Sequence, residues 1–337
     1  MTKLFDEKYM QQCLELARKG FGSVRPNPMV GCVVLDKEGN IVSTGYHKKY
    51  GDNHAERDAL LKLQGHEAEG GTLYVNLEPC SHYGKTPPCV GLIIERKLAK
   101  VVIAMRDPNP KVDGISKLKS SGIEVVEGVL EEEAKFLNRV FIKNITQKLP
   151  YVVLKTATTM DGKIATKTGS SKWITSEVSR AEVYRMRQDF DCILTSSNTV
   201  IADNPTMEHK FKCVLDKDFR TSSESKIYQQ GEIYIANSVN TPLKDGNLDL
   251  KSVLSELYKK GIYTVFVECG GTLAGAFLKE RLVDEVYQFI APKITNDNSG
   301  LSCFNGDNIE NINDSVNLKI YETKFLNPDI LIKSIVC

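Results

Sequence analysis

The stretch Thr72-Leu73-Tyr74-Val75-Asn76-Leu77-Glu78-Pro79-Cys80-Ser81-His82-Tyr83-Gly84-Lys85-Thr86-Pro87-Pro88-Cys89 decides how this chain is read. Thr72 to Leu77 is a strand-length apolar run, and Val90 to Lys97, just past Cys89, reads as a helix. Upstream, His54-Ala55-Glu56 opens another helical segment that continues to Leu63. Lys100 to Met105 returns as a buried type of strand. Strands alternating with helices indicate an α/β domain in which helices cover a sheet.

Working toward the N-terminus, Asp6 can cap a helix whose apolar residues Tyr9, Met10, Cys13, Leu14 and Ala17 recur at helical spacing, with Gly20 and Gly22 ending it. Met29 to Leu35 and Ile41 to Tyr46 read as strands around the turn Glu38-Gly39-Asn40. Toward the C-terminus, a long helical pattern from Glu131 to Lys143 runs into the polar stretch Asn144 to Lys148 and then Pro150. We place a domain boundary there, giving domains 1–147 and 148–337. A second α/β series follows. Tyr151 to Thr158, Cys192 to Thr195, Ile262 to Glu268 and Val283 to Ala291 read as strands, and Glu177 to Gln188 and Leu273 to Lys279 as helices. The tail alternates as strands from Leu318 to Thr323 and from Ile330 to Val336.

Imidazole and thiolate are good zinc ligands, so His54, Cys80 and Cys89 are a candidate metal set. Three protein ligands leave a fourth tetrahedral position for water, whose pKa zinc brings toward neutrality. Attack on an amino-substituted ring carbon also needs a proton carrier, because ammonia must leave protonated. Glu56, two residues beyond His54, is placed to be one. His-x-Glu followed by Pro-Cys elements is the pattern of zinc deaminases, in which the Glu is not a ligand. The eight residues between Cys80 and Cys89 depart from the usual spacing of two. A closed site with His82 as fourth ligand, and two merely buried cysteines, are the alternative readings. In the second half, Val265-Phe266-Val267-Glu268-Cys269-Gly270-Gly271-Thr272-Leu273-Ala274-Gly275-Ala276 is a strand running into glycines and a helix. Such a turn lets backbone N–H groups approach phosphate; it also reads as a tight turn packed on the sheet.

At 337 residues two domains are the default, and 41% hydrophobic with 26% charged residues is ordinary for a soluble protein. A net charge of +1, with Lys and Arg scattered among Asp and Glu, gives no general pull toward nucleic acid. No signal peptide and no membrane span are expected. Nine cysteines without a tight framework suggest free thiols in a reducing cytoplasm. Cys13, Cys32, Cys192, Cys213 and Cys269 read as small buried hydrophobes, and no role is expected for Cys303 or Cys337.

The strings Arg25-Pro26-Asn27-Pro28-Met29-Val30-Gly31, Gly45-Tyr46-His47, His54-Ala55-Glu56, Glu78 to Cys89 and Asp107-Pro108-Asn109-Pro110 resemble the deaminase half of the bifunctional riboflavin-biosynthesis deaminase/reductase family. That family has the long cysteine spacing, so the apparent defect becomes a specific feature. Leu154-Lys155-Thr156-Ala157-Thr158-Thr159-Met160-Asp161-Gly162-Lys163, Trp173-Ile174-Thr175-Ser176, Leu194-Thr195-Ser196-Ser197-Asn198-Thr199-Val200, Ala202-Asp203-Asn204-Pro205 and Ala291-Pro292-Lys293 resemble its reductase half.

The resemblance implies an α/β protein with a cytidine-deaminase-like three-layer N-terminal domain and a dihydrofolate-reductase-like C-terminal domain. It implies one Zn2+ in the first, NADPH in the second, and a diaminopyrimidinone substrate bearing a phosphoribosylamino group. That substrate is deaminated at its 2-amino carbon; hydride transfer to the ribose C1′ then opens the sugar to a ribityl chain. Carried over position by position, Asn27, His47, His82, Lys85, Asp107 and Asn109 would line the deaminase pocket. Ala157, Trp173, Thr199, Asp203 and the loop Gly270, Gly271, Thr272, Leu273, Ala274, Gly275, Ala276 would contact NADPH. Ser171, Arg187, Met207, Lys210 and Glu268 would face the reductase substrate.

After Pro205 the family usually continues Leu-Thr-x-Arg, with the arginine on the substrate phosphate. Here Thr206-Met207-Glu208-His209-Lys210 stands instead, so a weakened or inactive reductase is one alternative. Others are a nucleic-acid editing deaminase, which should show a basic or aromatic strand-binding surface, and a zinc-stapled binding module. The expected partners are a small-molecule substrate and further copies of the chain in a homo-oligomer, with no nucleic acid and no membrane.

Overall fold

The computed structural model describes residues 2–83 and 87–337. The chain divides into two compact units, Met1–Gln147 and Lys148–Cys337. No helix among the described residues is long and apolar enough to cross a membrane.

In chain order the first unit is α1 (Thr2–Arg18), β1 (Gly31–Leu35), β2 (Ile41–Tyr46), α2 (Ala55–Leu60), β3 (Thr72–Leu77), α3 (Cys89–Glu95), β4 (Lys100–Met105), α4 (Gly114–Ser120), β5 (Glu124–Glu127), α5 (Glu131–Leu137) and α6 (Arg139–Gln147). Its five-stranded sheet has the order β2-β1-β3-β4-β5. β1 pairs antiparallel with β2 and β3, whereas β3, β4 and β5 run parallel. β1, β3 and β4 are apolar and buried along nearly their whole length, as a sheet covered on both faces requires.

Two glycines show how closely the covers approach. Gly31 pairs with Tyr46 and Cys32 with Gly45, so Gly31 and Gly45 face opposite sides of the sheet. A Cβ on Gly31 would stand 2.1 Å from Cys13 O on α1, and one on Gly45 would stand 2.3 Å from Ala55 O on α2. α1 and α5 therefore form one outer layer, and α2, α3 and α4 the other, giving three layers.

The single helix expected from Glu131 to Lys143 is instead two, broken at Asn138. That side chain is 1% exposed. Its Oδ1 accepts from Met29 N at 2.8 Å and its Nδ2 donates to Met29 O at 3.0 Å. Asn76, fully buried in β3, does similar work: Gly31 N donates to its Oδ1 at 2.8 Å, and its Nδ2 donates to Met29 O at 3.0 Å. Both amides pin the loop that carries Asn27.

The second unit comprises β6 (Tyr151–Thr159), β7 (Lys163–Ala165), α7 (Glu177–Arg187), β8 (Cys192–Ser196), α8 (Ser197–Asp203), β9 (Phe211–Leu215), β10 (Glu232–Ala236), β11 (Leu243–Lys244), β12 (Asn247–Leu248), α9 (Leu250–Lys259), β13 (Thr264–Glu268), α10 (Gly271–Lys279), β14 (Glu285–Ala291), β15 (Leu301–Ser302), β16 (Leu318–Leu326) and β17 (Asp329–Val336). Its main sheet has the order β10-β9-β8-β13-β6-β14-β17-β16. β10 through β14 in that order run parallel, and β17 and β16 are antiparallel additions. The core joins Val152, Leu154, Val265 and Val267 of the sheet to Leu254, Leu257, Ala274 and Phe277 of α9 and α10. Parallel strands place their carboxyl ends along one edge, where Ser196, Leu215 and Glu268 finish β8, β9 and β13.

Candidate active sites

In the first unit, His54 is the N-cap residue of α2, Cys89 begins α3, and Cys80 lies three residues beyond β3. The parallel strand and its covering helices bring all three to one place. His54 Nδ1 lies 3.4 Å from Cys80 Sγ and 3.5 Å from Cys89 Sγ, and the three ligand atoms lie within 4.8 Å of one another. Tetrahedral zinc bonds of ordinary length separate a nitrogen and a sulfur ligand by about 3.5 Å, so the arrangement fits zinc without rearrangement. Cys89 N donates to Cys80 Sγ at 3.3 Å. Hydrogen bonding from Cys89 and His54 holds the Cys80 thiol well below its ordinary value despite burial. The same contact with Cys80, together with burial, pushes Cys89 up. Without a cation the pair thus shares one proton, and a divalent ion removes that conflict.

Glu56, on the first turn of α2, is 3% exposed. Burial, reinforced by the sulfur of Cys80, raises its carboxyl to about 7. His47 Nε2 lies 3.1 Å from Asn27 Nδ2, its Nδ1 lies 3.0 Å from Asn53 O, and its ring packs edge-on against His54 at 5.6 Å. Burial lowers the His47 pKa, favouring the neutral ring.

Asp107 is half-buried, and burial, with Glu78 and Cys80 nearby, raises it to about 6. His82 is exposed but close enough to act electrostatically on Asp107. Asn109 donates from its N–H to Asp107 Oδ1 at 2.8 Å, while its own Oδ1 accepts from Lys111 N at 3.2 Å, the geometry of a turn former. Lys85 lies outside the described residues.

Glu78 had no role assigned from the sequence. Its Oε1 accepts from Gly114 N at 2.8 Å and Ile115 N at 3.0 Å, and its Oε2 from Asp107 N at 3.2 Å. One carboxylate therefore ties the end of β3, the loop after β4 and the start of α4 together, two residues before Cys80.

In the second unit Glu268 ends β13 and is 6% exposed. Its carboxylate receives Lys155 Nζ at 2.8 Å, Arg187 Nε at 2.6 Å and Arg187 Nη2 at 3.1 Å. Burial alone would raise this carboxyl, but Lys155 and Arg187 outweigh it and hold it at about 2. Lys155 had no role assigned from the sequence; its signal was a charge directly after the apolar run Tyr151 to Leu154, within the same strand.

A cleft of about 620 Å³ opens outside the carboxyl ends of β8, β9 and β13. It brings together Gly270, Gly271, Thr272, Leu273 and Ala276 with Ser196, Ser197 and Asn198. A Cβ on Gly270 would meet nothing within 4 Å, and the first turn of α10 carries no side-chain cap, so backbone donors face the opening. This fits a dinucleotide's diphosphate.

Ala274 is core, and Gly275 packs against Asn305, where a Cβ would stand 1.8 Å from its O. Thr199 binds Ser196, its Oγ1 lying 3.2 Å from Ser196 Oγ, and so stands behind the cleft wall. Ala157, Trp173 and Asp203 lie outside the lining. Trp173 is 63% exposed beneath the Arg180 guanidinium, 4.4 Å from its ring. Ser171 is half-buried in the segment before α7.

The departing segment is folded inward. Met207 packs with Ile193, Val200, Val214 and Ile227, so its side chain is core. His209 Nε2 lies 3.1 Å from Phe190 O. Glu208 accepts from Tyr184 OH at 3.3 Å and acts on the Arg187 charge. Lys210 is exposed.

Comparison with known proteins accords with both units. Residues 3–105 match the cytidine and deoxycytidylate deaminase zinc-binding region, and residues 150–332 match the RibD C-terminal domain. The riboflavin biosynthesis protein RibD of Aquifex aeolicus is 41% identical, over 98% of this chain and 99% of that protein. The structure of Acinetobacter baumannii RibD is 36% identical with a TM-score of 0.85, covering 99% of each chain. The Thermotoga maritima diaminohydroxyphosphoribosylaminopyrimidine deaminase/5-amino-6-(5-phosphoribosylamino)uracil reductase is 35% identical with a TM-score of 0.84, covering 100% of each chain. A cytidine-deaminase-like unit followed by a RibD reductase unit, related over its full length to such proteins, makes this chain a member of the bifunctional RibD family of riboflavin-biosynthesis deaminase/reductases.

Proposed function

We propose that the first unit deaminates 2,5-diamino-6-(5-phosphoribosylamino)pyrimidin-4-one at C2, and that the second then reduces its ribosyl group to ribityl. The observation that carries the reading is the His54, Cys80, Cys89 cluster with a buried, proton-holding Glu56 beside it. His54, Cys80 and Cys89 would hold the zinc of this family. The chemistry zinc supplies in such a three-ligand setting is acidification of water near neutral pH.

Glu56 accepts a proton from water as its oxygen adds to C2, passes it to the adjacent ring nitrogen, then takes the remaining proton from the new C2 hydroxyl and delivers it to the amine, which leaves as ammonia while the C2 carbonyl forms. Burial raises the Glu56 carboxyl above its ordinary value, which suits a group that must take up a proton as well as release one. Asn27, held in place by His47, offers the heterocycle its Oδ1 acceptor and its second Nδ2–H donor, and Asp107 and His82 close the polar edge. Glu78 orients the Asp107 loop rather than touching substrate.

In the second unit NADPH supplies the hydride for C1′. Arg187, Glu268 and Lys155 form a charge-neutralising group at the carboxyl end of β13, two residues before Gly270, and in this reading they face the substrate together with Ser171 and Lys210. With Glu208 drawn to Tyr184, the acid at 208 is directed toward protein partners, which favours a working reductase over a lost one. A cytoplasmic location suits the nine unpaired cysteines. A homo-oligomer suits the edge strand β16, which exposes Leu318, Ile320 and Phe325.

The test incubates the pure protein with the diaminopyrimidinone phosphate, with and without NADPH. Ammonia is expected in both arms and NADPH oxidation in the second. Ammonia without NADPH oxidation would refute the reductase reading alone; no ammonia would refute the first.

A further inference from the structure

We propose that Asn138, at the break between α5 and α6, is a positioning residue for the deamination, acting through Met29 to set where Asn27 presents its amide to the heterocycle. The inference rests on the reading of Asn27 as a substrate contact. Met29 lies two residues after Asn27, ahead of β1, whose pairing with its neighbours begins at Gly31. Side-chain amides take the place of a strand partner there. Asn138 Oδ1 accepts from Met29 N at 2.8 Å and its Nδ2 donates to Met29 O at 3.0 Å, so one amide engages both backbone polar groups of that residue. Asn76 Nδ2 gives Met29 O its second donor at 3.0 Å, and Asn76 Oδ1 accepts from Gly31 N at 2.8 Å. With its N–H and both carbonyl lone pairs taken, Met29 is clamped from two sides.

The restraint reaches Asn27 with little slack. Pro26 and Pro28 flank it; each ring fixes its own φ, and each also restricts the residue before it. Asn27 N donates to Val24 O at 2.9 Å. The same clamp bears on His47, whose N–H donates to Val30 O at 2.9 Å. His47 Nδ1 lies 3.0 Å from Asn53 O, and a carbonyl facing that nitrogen places the ring proton there. Nε2 therefore accepts from Asn27 Nδ2 at 3.1 Å. The amide of Asn27 and the ring of His47 are thus both referenced to residues 29 and 30, one through Pro28 and the other through Val30 O. The helices make no demand on the Asn138 side chain. Its backbone N–H donates to Ala134 O at 3.0 Å and its C=O accepts from Ile142 N at 2.9 Å, as in any helix. Asn is a poor helix former, and an amide 1% exposed needs partners. The residue is explained by the loop it holds, not by the helix it interrupts.

The test uses the full chain loaded with zinc and measures initial rates of ammonia release against concentration of the diaminopyrimidinone phosphate. The variants are Asn138→Ala, Asn138→Leu, Asn27→Ala and Asn27→Ala combined with Asn138→Ala. Asn138→Ala is expected to raise KM by roughly 5- to 50-fold, with kcat within about threefold and zinc content unchanged. In the Asn27→Ala background the same change should have almost no further effect on KM, because the residue it acts through is gone. A general loosening of the fold would instead lower kcat and zinc content together and add its loss to that of Asn27→Ala. That outcome, or an unchanged KM, would overturn the assignment. Asn138→Leu keeps the shape of the side chain while removing both bonds, and it decides the question if the alanine variant does not fold; an unchanged KM there overturns the assignment equally. Asn27→Ala with an unaltered KM would refute Asn27 as a substrate contact, and the assignment with it, whereas a raised KM in Asn27→Ala beside an unchanged one in both Asn138 variants would refute the assignment alone.

Discussion

Replacing Glu268 by glutamine removes the one negative charge that Lys155 and Arg187 share, while keeping the size of the side chain. Holding this carboxyl at about 2 rather than its ordinary 4.5 corresponds to about 3 kcal/mol of preference for the ionised form at neutral pH. The side chain is 7% exposed, so solvent screens little of that. Because the folded pKa is depressed, the stabilisation is present above about 4.5 and is lost as pH falls through about 2. Glutamine resembles the protonated acid at every pH. The difference between the two proteins should therefore be about 3 kcal/mol at pH 7 and shrink to roughly 1 kcal/mol at pH 3. Urea unfolding followed through Trp173, the single tryptophan and a residue of the second unit, is the assay. A pH-independent difference, or one under about 1 kcal/mol at pH 7, would refute the charge argument.

Glu56→Gln should lower the rate of ammonia release by about 10²- to 10⁴-fold with zinc content unchanged, measured by metal analysis alongside turnover. Chelation, or His54→Ala, should abolish ammonia release yet leave NADPH oxidation intact when the already deaminated pyrimidine is supplied. Gly45→Ala would set a Cβ 2.3 Å from Ala55 O and 2.5 Å from Ala59 N, both backbone; a loss of about 1–3 kcal/mol is expected in calorimetry of the first unit.

Much of this protein is legible from local pattern. The His54, Cys80 and Cys89 positions fall where a strand ends or a helix begins, and those boundaries carry strong signals in proline and apolar spacing. What escaped was polar chemistry buried inside apolar runs. Asn76 within Thr72 to Leu77, Lys155 within β6 and Asn138 within an otherwise helical stretch look like minor blemishes until their distant partners are known. The helix expected from Glu131 to Lys143 breaks because Asn138 bonds a loop more than a hundred residues away, which no window-based reading contains. α8, β9 and β10 went unassigned because each is only five to seven residues long, too short for a period to stand out, whereas α9 was missed although Leu250, Val253, Leu254 and Leu257 recur at helical spacing. The roles of Met207 and Ala274 also depended on tertiary context, since an apolar residue beside a site and one in the core look alike in sequence.

Glu56 and Glu78 are the same residue type, each two positions from a metal-ligand candidate and each nearly inaccessible. Three amide donors saturate Glu78, whereas Glu56 lies among sulfur and imidazole with its proton still in play. One therefore behaves as masonry and the other as a reagent, and the distinction lives in their surroundings alone. Loss-of-function screens would score damage at either position identically, although the first dismantles a junction of three segments and the second disarms an otherwise intact protein.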